Sequence, residues 1–118
     1  MALSEELPIY RELAKLEELY CDQLPHLARM VRYEFGYQLV NLCIYMKVLV
    51  YMVNSSNADD KRCHLRKMQE KYHTLKEVNR VCLYMKAFSS EGAGDVITQT
   101  VAEVGRHITR WCKATMIE

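Results

Sequence analysis

Apolar residues recur along this chain at alternating intervals of three and four, in four stretches set apart by short polar clusters. That spacing is the seam of helices packed side by side. The first predicted helix, about Pro8 to Gln23, puts Ile9, Leu13, Leu16 and Tyr20 on one stripe. The second, about Ala28 to Val53, carries the longest seam: Phe35, Leu39, Leu42, Met46, Leu49 and Val53. The third opens with Asn57 as N-cap and with Asp59 and Asp60 in its first turn, where carboxylates favour the helix dipole. Its seam is Leu65, Met68, Tyr72, Leu75, Asn79 and Cys82. The fourth carries Ile97, Val101, Val104, Ile108, Trp111 and Thr115, with a start blurred by Gly92 and Gly94.

The connectors are Leu24-Pro25-His26, Asn54-Ser55-Ser56-Asn57 and Ser89-Ser90-Glu91-Gly92-Ala93-Gly94. Proline cannot continue a helix beyond its first turn, and clustered Asn, Ser and Gly compete with helical backbone bonding. Links this short place sequential helices as antiparallel neighbours. The expectation is therefore an all-α fold, an antiparallel up-down four-helix bundle forming a single domain over residues 1–118.

The second helix is also apolar on its far side, where Tyr37, Ile44, Val48 and Tyr51 stand about half a turn from the seam. A surface helix is polar there. An uncovered strip of this kind marks association, and these four residues are the expected oligomer interface. The most apolar run, Leu39 to Val53, includes Asn41 and Lys47 and is too short and too polar to cross a bilayer. It reads as a buried helix.

Composition changes this picture little. Sixteen Lys and Arg face 15 Asp and Glu, a net charge of +1 that selects no partner. Their distribution is more telling. Residues 1–25 carry Glu5, Glu6, Glu12, Glu17, Glu18 and Asp22 against Arg11 and Lys15, whereas residues 61–86 are strongly basic. Five widely spaced cysteines, with no CxxC and no secretory pattern at the start, read as reduced thiols of a cytoplasmic protein, acting as small hydrophobes on helix faces.

Candidate chemistry is sparse. A di-iron carboxylate bundle needs Glu-x-x-His on two helices, and Glu70-Lys71-Tyr72-His73 is the one match. The sequence has no GxGxxG, P-loop, HExxH or G-x-S-x-G. The expectation is a chain with no catalytic residue, no metal and no cofactor. What remains is the basic face of the third helix, Arg62, Arg66, Lys67, Lys76 and Arg80, joined by Arg106, Arg110 and Lys113 on the fourth and by Arg29 and Arg32 before the second. Clustered cations of this kind bind phosphates through counterion release. The other reading is a solvated face paired with the acidic first helix of the same or a neighbouring subunit.

Four segments together resemble a known family. Val101-Ala102-Glu103-Val104-Gly105-Arg106-His107-Ile108-Thr109-Arg110-Trp111 looks like the Gly-Arg/Lys…Trp signature in the last helix of the accessory variability determinant (Avd) proteins of diversity-generating retroelements. Leu7-Pro8-Ile9-Tyr10-Arg11-Glu12-Leu13, Arg32-Tyr33-Glu34-Phe35-Gly36 and Leu75-Lys76-Glu77-Val78-Asn79-Arg80-Val81-Cys82 are similar to the same family, in the same order. The resemblance implies a four-helix bundle assembled into a pentameric barrel. It also implies binding of the element's reverse transcriptase and of template RNA, in support of mutagenic reverse transcription. The near-neutral total charge departs from the clearly basic members of that family. Related bundles are encoded by intervening sequences of large-subunit ribosomal RNA genes.

On this reading Arg62, Arg66, Lys67, Arg80, Arg106 and Arg110 contact RNA or the reverse transcriptase by holding phosphates or acidic groups. Gly105 permits a close helix approach, and Trp111, continuing the Ile97 to Ile108 seam, reads as a core anchor ahead of the alternative, a base-stacking platform. The alternative is a self-assembling bundle of the ribosomal intervening-sequence type without a reverse-transcriptase partner. A metal-dependent bundle enzyme is a third.

Overall fold

The computed structural model describes residues 3–116, which form four long helices; no strand occurs among the described residues. The helices are α1 (Pro8–Gln23), α2 (Arg29–Ser55), α3 (Ala58–Tyr84) and α4 (Glu91–Met116), with 3-10 turns at Ser4–Glu6 and Leu24–His26. At about 1.5 Å per residue a 27-residue helix runs to about 40 Å, which accounts for the 45 × 21 × 19 Å shape. α1 packs on α2 and α4, and α3 packs on the same two, so the four surround one core.

Local chemistry sets most boundaries where the spacing predicts them. Pro8 begins α1, a position where its missing N–H is unneeded. The Asn57 side chain accepts the Asp60 amide at 3.0 Å and caps α3. The third connector differs from expectation. α4 already starts at Glu91, with the Ser90 hydroxyl accepting the Ala93 amide at 3.0 Å, so Gly92 and Gly94 lie inside the helix. The chain turns instead at 85–90. Ala87 N donates to Cys82 O and Lys86 N to Leu83 O, the paired bonds of a Schellman ending, and Lys86 takes the left-handed conformation (φ 52) that glycine usually supplies. The second connector is also shorter than expected, since α2 runs on to Ser55.

The predicted seams are the core. Leu13, Leu16, Leu39, Met46, Leu49, Leu65, Met68, Leu75 and Val104 are buried, so truncating one leucine to Ala would cost about 2–5 kcal/mol. One polar pair spans the bundle diagonally: Tyr20 Oη on α1 donates to Asn79 Oδ1 on α3 at 2.7 Å. At that end Gln23 clamps the last connector, accepting from Ser89 N at 2.8 Å and donating to Ser89 Oγ at 3.1 Å. Four seam residues depart from expectation. Phe35, Tyr72, Trp111 and Thr115 are only partly buried, and Val31 and Cys112, beside Phe35 and Trp111 in the chain, are buried in the core.

The Phe35 departure comes from a π-helical segment at Arg32–Gly36 inside α2. Gly36 in that segment is buried, and a Cβ there would stand 2.8 Å from Leu27 Cδ1 and 2.9 Å from Leu24 Cδ2. The missing side chain lets the α1–α2 connector lie against the helix. Arg32 Nη2 donates to Pro25 O at 3.2 Å and Leu27 O at 3.1 Å, so Arg32 staples this connector and is not part of a free basic surface.

α2 as a whole is long and apolar enough to cross a membrane by length and composition, because it extends beyond the Leu39–Val53 run at both ends. Its most apolar stretch is 44% buried, because that stretch supplies one wall of the core.

Candidate functional site

Two surfaces stand out, and they lie on different helices. The first is the outer face of α2. Tyr37, Ile44, Val48 and Tyr51 expose between 42% and 49% of their surface, as the spacing predicts, and Tyr45 and Met52 widen the strip. Tyr33 and Met30, nearer the start of the helix, are also exposed. Tyr51 is also held from within the chain: its ring packs edge-on against Tyr10 and its hydroxyl donates to Glu5. That bond holds the Glu5 carboxyl below its usual range and pushes the Tyr51 phenol up to about 12.

The second surface is a groove between α3 and α4, with a volume of about 570 Å³. His73 and Lys76 line it from α3, and Arg106, Thr109 and Arg110 line it from α4. Its floor explains Gly105. Tyr72 reaches across from α3 and donates its hydroxyl to Val101 O at 2.9 Å. A Cβ at position 105 would stand 2.7 Å from Tyr72 Cζ and closer still to its hydroxyl. Gly105 is therefore the gap into which Tyr72 fits, and Lys76 lies over the outer side of that ring at 5.4 Å from its centroid.

The six cations expected to act together divide. Arg106 and Arg110 line the groove; Arg62, Arg66, Lys67 and Arg80 do not. Consecutive helical residues stand about 100° apart, so Lys67 cannot share the face of Arg66. Lys67 shares its flank with Lys71 one turn later, whose ammonium lies 4.8 Å from the Tyr45 ring centroid, on the side of α2. Sequence reasoning placed Lys76 on the basic face without singling it out, and passed over His73 as a groove residue, because only the pairing of α3 with α4 shows which flank becomes a wall.

Three of the six carry a carboxylate partner three residues earlier: Arg62 with Asp59 at 3.8 Å, Arg80 with Glu77 at 2.9 Å, and Arg106 with Glu103, Nε to Oε1 at 2.9 Å. Exposed pairs are worth about 0–1 kcal/mol, so a phosphate can displace them. Arg66, Lys67 and Arg110 form no ion pair among the described residues.

Within one chain the acidic α1 makes no ion pair with the groove cations among the described residues, and it packs on α2 and α4. Its Glu17 pairs with Lys47 of α2 at 2.6 Å, both side chains about one-fifth exposed. Burial alone would lower the Lys47 pKa; the Glu17 hydrogen bond and charge outweigh it and hold the ammonium above its usual range.

The five cysteines are free: Cys43, Cys82 and Cys112 are buried, while Cys21 and Cys63 are exposed. Burial pushes the Cys43 thiol well up and Cys82 up to about 11, which keeps both protonated and unreactive at neutral pH. Glu70 and His73 are both exposed, and no group of three or more His, Cys, Asp or Glu is arranged to hold a metal among the described residues. Compared with protein-family models and with curated proteins, the chain matches none.

Proposed function

We propose that this protein is a non-enzymatic oligomeric adaptor of the Avd kind, which joins a retroelement reverse transcriptase to its template RNA. The observation that carries the reading is the separation of the two surfaces. The apolar strip occupies α2, the cationic groove occupies α3 and α4, and a chain can associate through one while leaving the other open. The order of the four Avd-like segments supports the choice of partners. On this reading the helices run antiparallel in up-down order, and copies associate through Tyr37, Ile44, Val48 and Tyr51 into a closed ring, with five copies as in that family. Arg106, Arg110 and Lys76 hold phosphates in the groove without reading sequence. The protein works in the cytoplasm and needs no cofactor.

Light scattering on the purified protein, alone and then with template-type RNA at low and moderate salt, tests this. The expected result is an oligomer that takes up RNA in a salt-sensitive way and that dissociates when Ile44 and Val48 are both changed to Asp. Co-purification with a retroelement reverse transcriptase separates the adaptor from a bundle that only self-assembles. A monomer indifferent to RNA would overturn the reading.

A further inference from the structure

A second cavity opens on the other side of Arg110. It is an apolar cleft of about 250 Å³ between the start of α1 and the end of α4, lined by Leu7, Pro8, Ile9, His107, Arg110 and Trp111. Its volume falls below the range of about 300–1,000 Å³ usual for whole drug-sized ligands and suits a single ring system. Trp111, expected as a core anchor, is only partly buried: the core fixes its indole in place while the cleft leaves part of it accessible. Arg110 lines both this cleft and the α3–α4 groove, so the two cavities share a cationic ridge.

We propose that the cleft seats one unpaired nucleobase of a single-stranded RNA on the Trp111 indole, while Arg110 holds the adjoining phosphate and leads the strand into the α3–α4 groove. This rests on the reading of the groove as an RNA surface. Charge decides the occupant. A docked aromatic side chain of a protein would need one acidic group at Arg110, but the cations do not stop there. Arg106 and Lys76 continue the line along the groove, which suits a ligand with an anion at every step. Base-on-aromatic stacking beside a backbone-tracking cationic groove is how single strands are held without sequence preference. A paired base presents no free face, so a duplex would use the groove alone.

The chain has one tryptophan, so its indole fluorescence reports the surroundings of Trp111 alone. The test titrates the full chain with a labelled single-stranded RNA, with the same backbone made abasic, and with an RNA duplex. Binding is followed by anisotropy of the label, and the cleft by tryptophan emission. The expected result is that all three bind with salt dependence and only the base-bearing single strand quenches the tryptophan. Trp111→Leu should weaken single-strand binding roughly tenfold and leave the abasic strand unaffected. Arg110→Ala should weaken all three.

Salt-dependent binding of the single strand with no change in emission would overturn the cleft proposal and leave the groove reading intact. Equal quenching by the abasic strand would overturn it too, because charge alone would then account for the signal. Absence of binding by any of the three would sink the RNA reading itself, and the cleft proposal with it. A tryptophan that responds to the reverse transcriptase but not to single-stranded RNA would assign the cleft to protein.

Discussion

Gly105→Ala sets a gain in helix propensity against a steric loss, and the structure says which prevails. In an exposed helix interior, alanine is more favourable than glycine by about 1 kcal/mol. At position 105 the new methyl would meet the Tyr72 ring, 2.7 Å from Cζ. The ring has few ways to retreat. Its hydroxyl is bonded to Val101 O at 2.9 Å, and its inner face packs against the core. Forcing it out forfeits that hydrogen bond, about 1 kcal/mol, and adds an overpacking cost of about 1–3 kcal/mol. With the propensity gain subtracted, the substitution should destabilise the fold by about 1–3 kcal/mol, a fall in melting temperature of several degrees for a chain of this length.

The assay is urea unfolding followed by circular dichroism, at one fixed chain concentration because association shifts apparent stability. The same substitution placed in a Tyr72→Ala background supplies the control. There the methyl meets no ring, and Gly105→Ala should stabilise by up to about 1 kcal/mol. If it stabilises equally in both backgrounds, Tyr72 does not occupy the gap at Gly105, and the account of the groove floor is wrong.

Four further outcomes can be checked. Tyr20→Phe should cost about 1–3 kcal/mol in urea unfolding by stranding Asn79 Oδ1 in the core, and adding Asn79→Leu should recover much of that loss. Lys86→Gly should stabilise by about 0.5–1 kcal/mol, because glycine adopts the left-handed conformation at that helix end without the side-chain penalty; a loss would show that the lysine side chain is needed there. Arg106→Ala and Arg110→Ala should each lower the salt dependence of RNA binding by about one counterion and change stability by less than about 0.5 kcal/mol; an unchanged salt slope would remove either residue from the phosphate-binding set.

The Glu5–Tyr51 tether should show a pH window. The depressed Glu5 pKa means the bond favours the fold above its usual 4.5 and is lost as pH falls through the lower folded value. The raised Tyr51 pKa keeps the bond below 10 and loses it as pH rises toward about 12. The midpoint of the Glu5 carboxyl in an NMR titration should move up toward its ordinary range in Tyr51→Phe, and an unmoved midpoint would contradict the bond.

Much of the fold is legible in the residues, because each helix states its buried face through its own spacing. Leu13 and Leu16, Met46 and Leu49, Leu65 and Met68, and Val101 and Val104 are where three-and-four periodicity puts a core. Asn57 and Pro8 announce helix starts through side-chain and ring chemistry that acts locally. The third connector differs from expectation for an equally physical reason. Gly92 and Gly94 look like a turn, but the left-handed residue that ends α3 is Lys86, and nothing in a lysine signals that conformation. Gly94 instead allows Leu83 to come within 3.3 Å of where a Cβ would sit.

The candidate site was less legible than the core. The outer strip of α2 follows from the wheel of that one helix. The groove depends on two helices and on which flank of each meets the other, so Arg106 and Arg110 were found while His73 was not. Arg32 carries the charge of a surface cation, and its use as a staple for the connector depends on carbonyls five and seven residues earlier in the chain.

The π-helical turn in α2 amounts to one extra residue spliced into an otherwise regular helix. At about 100° per residue, an unbroken α-helix would set Val31 about 80° away from Leu39; the extra residue brings the two to within about 20°, and both are buried. The same shift carries Met30 from about 20° to about 120° away from Tyr37. The outer surface of α2 therefore consists of two facets out of phase with each other: the long strip after Gly36, and a short one before the π turn. A partner pressed flat against Ile44 and Val48 leaves Met30 uncovered. Rewinding Arg32–Gly36 as ordinary α-helix, with no residue removed, would bring the two facets into line only by turning Val31 out of the core.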